Sequence, residues 1–351
     1  MPSQNDNPIK ITLEDLEQVT VSESKPETQL APSGENKYGS IKSTEEPLAT
    51  GQERGSLLLQ GWFYLGLAGL VGALIGWGIC EPAFVDGQAG AQRWGNVWLI
   101  PILVAMLCVC FGVAESVVER SAKKAAQRAA MSLPLGVIFG FILSVIANVI
   151  YTIGISISVQ AGAASNKNPA LWIARAIGWM VFGVAGGAVY GIVGWSGKKA
   201  GYGILGGVIG AGLGGLLFDP ISLATHGGAL SRAVGFALTG MATGIGIGVI
   251  ESALKDRWLY VTSGPLAGKQ FILYKPLTTI GSSQQCDIYL FKDSNILPNH
   301  AVLESRGPRL QISAVGPVYV AGVPIQKQVL QSGSLLQIGR YGFRYQEKQR
   351  S

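Results

Sequence analysis

The sequence predicts a two-part molecule: an α-helical transmembrane bundle of six helices, arranged as three tandem hairpins, followed by an all-β sandwich. Three observations carry this. First, only 14% of the 351 residues are charged and 48% are hydrophobic, with a mean hydropathy of +0.34, whereas soluble domains are about a quarter charged. Second, six apolar runs follow one another at about 60–80, 96–115, 133–156, 171–195, 200–219 and 230–252, each near the ~20 residues that span hydrocarbon. Third, beyond Arg257 the helical periodicity gives way to alternation, punctuated by glycine-containing turns.

Charge divides the chain the same way. Residues 1–55 hold ten Asp/Glu against five Lys/Arg, and residues 257–351 hold eleven Lys/Arg against four Asp/Glu. The expected parts are therefore an acidic disordered tail (1–55), a glycine-rich six-helix membrane domain (56–256) and a β module (257–351). The tail is rich in Ser, Thr, Glu, Gln, Pro and Gly, too polar to bury a core. Within it only Ile11–Val21 has apolar rhythm, readable as a short docking element or as plain tail. The polar, acidic amino terminus is not a cleavable signal peptide. Cys80, Cys108, Cys110 and Cys286 form neither a metal-type cluster nor a disulfide framework.

The connections set the orientation. Arg120, Lys123, Lys124 and Arg128 follow the second run, Lys198 and Lys199 the fourth, and Lys255 and Arg257 the sixth, whereas the opposite loops hold Arg93 and Lys167. This bias places both termini in the cytoplasm, in an integral membrane protein. The repeats point to the hairpins. Runs two and six close alike, Gly112-Val-Ala-Glu115-Ser116 and Gly248-Val-Ile-Glu251-Ser252, and run four follows in shape at Gly191–Ser196. Runs four and six open on Arg175-Ala-Ile-Gly178 and Arg232-Ala-Val-Gly235, and runs one and five end in Glu81-Pro82 and Asp219-Pro220. Three hairpins beginning near 56, 130 and 200, with two helices each, keep one orientation and make parallel repeats.

Glycine rows at four-residue spacing mark where helices approach closely. Gly206, Gly210 and Gly214 make one; Gly240, Gly244 and Gly248 another. The matched acids Glu81, Glu115, Asp219 and Glu251 have two readings. They are interfacial, with Glu115 and Glu251 paired to Arg120 or Lys255 and with Glu81 and Asp219 ending helices ahead of proline. Alternatively they line an ion or proton path. Ser144 and Asn148 in the third run read as helix–helix hydrogen bonds, and His226 as a loop residue.

In the β module ten short strands are legible: Trp258–Thr262, Gln270–Leu273, Leu277–Ile280, Asp287–Leu290, Ala301–Ser305, Leu310–Ala314, Val318–Val320, Pro324–Ile325, Ser334–Ile338 and Gly342–Gln346. Ile280-Gly281-Ser282, Cys286–Leu290, His300–Leu303, Val320–Ile325 and Leu330-x-x-Gly333-Ser334-x-Leu336-x-Ile338-Gly339 stand in an order and spacing that resembles a forkhead-associated (FHA) domain. The resemblance covers Trp258–Gln346 and nothing in the membrane block. It implies a phosphothreonine-peptide reader. The family does this with an arginine after the first glycine, a serine and an arginine just before the histidine, and an asparagine before the later glycine. Those places here hold Ser282, Leu297, Pro298 and Ala321. His300, matching a structural histidine, and the turn glycines Gly281 and Gly322 remain. The fold is thus expected without the phosphate grip, because neither serine nor proline replaces a bidentate guanidinium. Arg306, Arg309, Arg340 and Arg344 offer either a different anion site or a basic surface toward lipid heads.

The expected function is a membrane scaffold or signalling protein in a bacterial plasma membrane, recruiting a protein partner through a degenerate FHA domain. The alternative is a small-solute or ion transporter with an FHA-like regulatory module. No enzyme, cofactor, metal or nucleic-acid partner is expected, since no nucleophile–base pair, phosphate-cradling loop or metal spacing is present. The bilayer is an expected partner, and so is a second copy in a homo-oligomer.

Overall fold

The computed structural model describes residues 57–85, 93–160, 169–225, 227–307 and 309–348. The expectations for the tail, for Ile11–Val21, for Lys167 and for His226 fall outside these residues. Six helices are long and apolar enough to cross a membrane: α1 (Gly61–Cys80), α2 (Trp94–Val118), α3 (Ala122–Gln160), α4 (Pro169–Val193), α5 (Gly197–Ala224) and α6 (Gly228–Leu254). Each packs on the next, and α6 packs back on α1, so the helices close a ring. Within the ring α2 also meets α4, and α4 meets α6. This is the arrangement that three parallel hairpins produce around a common axis.

Glycine makes the ring tight. Gly183, Gly187 and Gly191 of α4 face Gly207, Gly203 and Ala200 of α5 so closely that an added methyl would run into the opposing backbone. Gly206, Gly210 and Gly214 likewise meet the backbone of α6 around Gly246, Ala242 and Thr239, and Gly240, Gly244 and Gly248 meet α1 at Gly69, Leu65 and Trp62. Without a hydrophobic drive between helices in lipid, such close approach supplies the dispersion energy of association. Side chains fill the middle. Phe111, Tyr190 and Ile247, which precede the matched glycines 112, 191 and 248, are all buried. The Phe111 ring lies between Gly69 of α1 and Gly186 of α4.

Ser196 caps the start of α5, its Oγ accepting from the Lys199 N–H at 3.2 Å. This caps one of the helix's orphan donors. Pro220 does not end α5, which runs on to Ala224.

The β module has nine strands: β1 (Arg257–Ser263), β2 (Gln270–Ile272), β3 (Leu277–Gly281), β4 (Ile288–Tyr289), β5 (Ala301–Arg306), β6 (Arg309–Val320), β7 (Val323–Leu330), β8 (Leu335–Ile338) and β9 (Tyr341–Glu347). They run β2-β1-β9-β8-β6-β5-β3-β4, with β7 also on β6. The two strands expected at 310–314 and 318–320 are one. β6 slips register between Ser313 and Val318, so its first half pairs with β5 and its second with β8. The irregularity folds one sheet into a sandwich. Its core is Leu259, Val261, Ile280, Leu303, Ile312, Ile338, Tyr341, Phe343 and neighbours. β7 is longer than its expected two residues because Gln326, Lys327 and Gln328 all lie exposed on an edge strand, where no alternation is required.

Candidate functional site

The loops that join β3 to β4, β4 to β5 and β6 to β7 carry the positions singled out by the FHA resemblance. Ser282 is half-buried. Its N–H donates to Leu297 O at 3.0 Å and its hydroxyl to Ile296 O at 2.7 Å, so its proton is committed inside the loop. Gly281 presses on the Pro298 carbonyl, leaving no room for a side chain. His300 is buried. Its Nδ1 accepts from Leu297 N–H at 3.1 Å, which makes it the neutral tautomer whose Nε2–H donates to Pro317 O at 2.9 Å. The histidine thus ties the Leu297–Pro298 loop to β6. Ala321 and Gly322 form the two-residue β6–β7 turn at φ 48° and 80°, the left-handed pair of a type I′ hairpin. Alanine there costs about 1 kcal/mol of strain. Leu297, Pro298 and Ala321 are exposed, and none of the three brings a side-chain hydrogen-bond donor.

Of the four arginines considered for an alternative basic site, two come together, since Arg306 and Arg309 line one cavity with Gln311 and Val329. Arg306 and Arg309 face each other across the β5–β6 turn, with Arg306 donating to Glu304 at 2.8 Å. Arg340 lies in the β8–β9 turn and Arg344 on β9 opposite Leu335.

A second constellation lies where the module meets the bundle. Glu119, at the end of α2, accepts from Lys269 Nζ at 2.8 Å, and both side chains are almost fully buried. Lys124 of α3 reaches Glu119 at 3.5 Å and also donates to the backbone carbonyls of Cys286 and Asp287. Ser121 meets Gln284 at 3.3 Å. Just inside the bundle Glu115 takes Lys199 at 2.5 Å and Arg128 at 3.0 Å. The Tyr190 hydroxyl bridges Glu115, at 3.0 Å, and Glu251, at 3.1 Å. Tyr274, from the turn after β2, donates to Glu251. A cavity of about 880 Å³ opens among these groups. Around it, burial pushes the Tyr274 hydroxyl well above its ordinary pKa, and Glu251 beside it adds to the shift, so Tyr274 stays a proton donor.

The expected partners of these two acids were wrong. Glu115 does not pair with Arg120, which lies over the Phe291 ring. Glu251 does not pair with Lys255, which bonds Gln270 and lies over Trp258. Sequence spacing favoured near neighbours, whereas the ring brings Lys199 and Tyr190 in from other hairpins. Lys269, Glu119 and Tyr274 carry no expectation from the sequence, and Lys124 enters there only as one of the charges after the second run. Each is an ordinary residue until the module docks, and no local pattern marks it.

At the opposite end of the bundle Glu81 follows the end of α1, whereas Asp219 lies inside α5, against the expectation that it ends a helix. Glu81 accepts from Arg232, and Asp219 from Arg175. Arg175 also donates to Tyr151 at 2.9 Å. Ser144 and Asn148 make no bond to a neighbouring helix among the described residues. The Ser144 hydroxyl turns back to Phe141 O at 2.8 Å, and Asn148 is exposed.

Comparison with known proteins places the module. Residues 260–349 match the family described as the inner membrane component of T3SS, cytoplasmic domain. An oxoglutarate dehydrogenase inhibitor of Corynebacterium efficiens is 36% identical over 86 residues, covering 24% of this chain and 60% of that protein. The glycogen accumulation regulator GarA of Mycolicibacterium smegmatis is 35% identical over 86 residues, covering 24% of this chain and 54% of that protein. The chain thus spans less than two thirds of these curated relatives. Among solved structures, the FHA domain of the CT664 protein from Chlamydia trachomatis is 24% identical over 27% of this chain and 100% of that one, with a TM-score of 0.26. The FhaA FHA domain, solved with the intracellular domain of Rv3910, is 17% identical over 26% of this chain and 99% of that one, with a TM-score of 0.24. The carboxy-terminal module is an FHA-like β-sandwich, attached to six membrane-competent helices.

Proposed function

We propose that this chain is an integral membrane scaffold whose FHA-like module recruits a protein partner without a phosphothreonine grip. The reading divides the chain into a tail (1–55), a membrane anchor (56–256) and a recruiting module (257–351). It sets the module and both termini on the cytoplasmic side of a bacterial plasma membrane. Arg120, Lys123, Lys124, Arg128, Lys198, Lys199 and Lys255 all lie at the module's end of the bundle, which supports that orientation through the positive-inside rule.

One observation carries the recruiting role. The loop surface that corresponds to the family's reading face is formed by Leu297, Pro298 and Ala321, with the Ser282 hydroxyl already spent on Ile296 O. Such a face has no fork of N–H donors to match a phosphate. It suits an uncharged or apolar contact instead. An anchor role for the helices is supported by the Phe111 ring between α1 and α4 and by the glycine-on-backbone contacts, which pack the bundle beyond the cavity at its module end. Binding, rather than catalysis, is the chemistry these surfaces support.

Capture from membranes with the full-length chain in mild detergent tests the reading. Wild type should retain a protein partner that treatment with phosphatase does not release, and Leu297→Asp should lose it. Release by phosphatase would mean that phosphate is read after all.

A further inference from the structure

Two like charges stand opposite each other at the β5–β6 turn. Arg306 ends β5, Arg309 opens β6, and the two are paired directly. Residues opposite each other on antiparallel strands point to one face of the sheet, where like charges repel. Gln311, two residues on from Arg309, shares that face and stands opposite Val329 of β7. These four side chains line a cavity of about 540 Å³. The cavity lies at the other end of β5 from the Leu297–Pro298 loop.

The polar groups that line it are donors. Arg306 gives its Nε–H to Glu304 at 2.8 Å, and its terminal nitrogens make no bond among the described residues. Neither do the Arg309 guanidinium and the Gln311 amide. Two guanidinium forks and an amide around one space match a phosphate, and a phosphate between the arginines replaces their repulsion by attraction.

The position of the turn says where that phosphate comes from. α6 has 27 residues, about 40 Å at 1.5 Å each, against a hydrocarbon core of about 30 Å. Its end at Leu254 therefore stands among headgroups. Lys255 lies over the Trp258 ring at 4.3 Å, a basic and an aromatic residue of the kinds that mark a membrane interface. Arg257, three residues beyond Leu254, is within about 11 Å of it along the chain. Its guanidinium holds the β5–β6 turn, donating to Ser305 Oγ at 2.5 Å and to Gly307 O at 2.9 Å. The Ser305 N–H donates in turn to Pro276 O at 2.7 Å, two residues past Tyr274, which reaches Glu251 in the bundle. The arginine pair is thus fixed on the edge of the module nearest the membrane.

We propose that Arg306, Arg309 and Gln311 form a site for the phosphate of an anionic lipid in the leaflet beneath the module. The site rests on the reading of the six helices as membrane spans. It gives the module a second hold on the bilayer, beside the chain connection through α6.

The experiment uses the full chain. A carbonate wash of native membranes comes first; a chain that washes off removes the membrane reading, and the proposal with it. An integral chain is placed in nanodiscs of phosphatidylcholine alone and of phosphatidylcholine with an equal part of phosphatidylglycerol. Amide hydrogen exchange is followed in residues 303–307 and 309–312. Wild type should exchange there about fivefold more slowly in the anionic discs, the factor expected of one basic residue at such a surface, and high salt should remove the difference. Arg306→Gln with Arg309→Gln should abolish it, whereas Arg340→Gln, in the β8–β9 turn, should leave it unchanged. In neutral discs the glutamine pair should unfold no earlier than wild type, because it removes a repulsion. Wild-type exchange indifferent to phosphatidylglycerol overturns the proposal. So does equal protection by inorganic phosphate in neutral discs, which would make the site one for soluble anions. A glutamine pair that keeps the difference, or that unfolds earlier than wild type in neutral discs, overturns it as well.

Discussion

Glu81, in the 3-10 turn that follows α1, grips Arg232 at the start of α6 through two bonds, from Nε at 3.1 Å and from Nη2 at 2.5 Å. The same device recurs one hairpin away, where Asp219 of α5 holds Arg175 of α4. In both cases an acid near the end of a first helix clamps an arginine near the start of a second helix from another hairpin. The matched sequence positions are therefore matched mechanically, as rivets between repeats. Because the pair is largely buried, removing one partner leaves an uncompensated charge, a loss of about 3 kcal/mol. Glu81→Gln or Arg232→Gln alone should lower the unfolding midpoint in detergent. The exchange Glu81→Arg with Arg232→Glu should recover part of it. An exchange no better than the sum of the single variants would deny the pairing.

The module is held by a comparable pair. Lys269 and Glu119 meet at 2.8 Å across the seam. Lys269→Met should cost the docked state about 3 kcal/mol. Amide hydrogen exchange in residues 266–275 and 115–124 should speed up together, while the strands of the sandwich core stay protected. Unchanged exchange on the α2 side would show that the seam does not depend on this pair.

Helix packing makes a third prediction. Gly187 faces the backbone of Gly203 with no space for a methyl group. Gly187→Val should destabilise the bundle by at least about 2 kcal/mol through forced separation of α4 and α5. Gly201, where a side chain would meet open space, should accept alanine with no loss of thermal midpoint. Equal effects at the two positions would remove the packing account of the glycines.

Asp287 brings pH dependence to the module. Burial pushes its carboxyl up, but the Lys275 ammonium and the Thr279 N–H and hydroxyl outweigh that and hold it below the usual aspartate range. A depressed carboxyl adds stability above the unfolded pKa of about 3.9 and loses it as pH falls through the lower folded value. At neutral pH Asp287→Asn should cost about 2 kcal/mol, read as faster exchange in residues 277–290. The gap between variant and wild type should narrow below about pH 4. A gap independent of pH would mean that the charge of Asp287 is not what the β3–β4 region uses.

Much of this architecture was legible because membrane helices and sandwich strands announce themselves locally. An apolar run of about twenty residues has few alternatives, and the hairpin repeat showed in Arg175/Arg232 and Glu81/Asp219. What stayed hidden was pairing at a distance. Nothing around Glu115 points to Lys199, 84 residues later in the chain. Nothing around Lys269 points to Glu119. Strand β7 was under-read because Gln326–Gln328 lie on an edge, where burial imposes no period. Pro220 suggested an end that α5 does not have. The loop positions Ser282, Leu297, Pro298 and Ala321 were found through resemblance, since no periodicity singles them out.

Ser282, Leu297, Pro298 and Ala321 are proposed to leave the module without a phosphothreonine grip. Titrating the detergent-solubilised full-length chain with a degenerate phosphothreonine peptide library by calorimetry tests it most directly. No binding is expected at concentrations up to about 1 mM, a free energy no better than about −4 kcal/mol. A dissociation constant near 1 µM, lost when the peptides are dephosphorylated, would mean that the module does grip phosphothreonine.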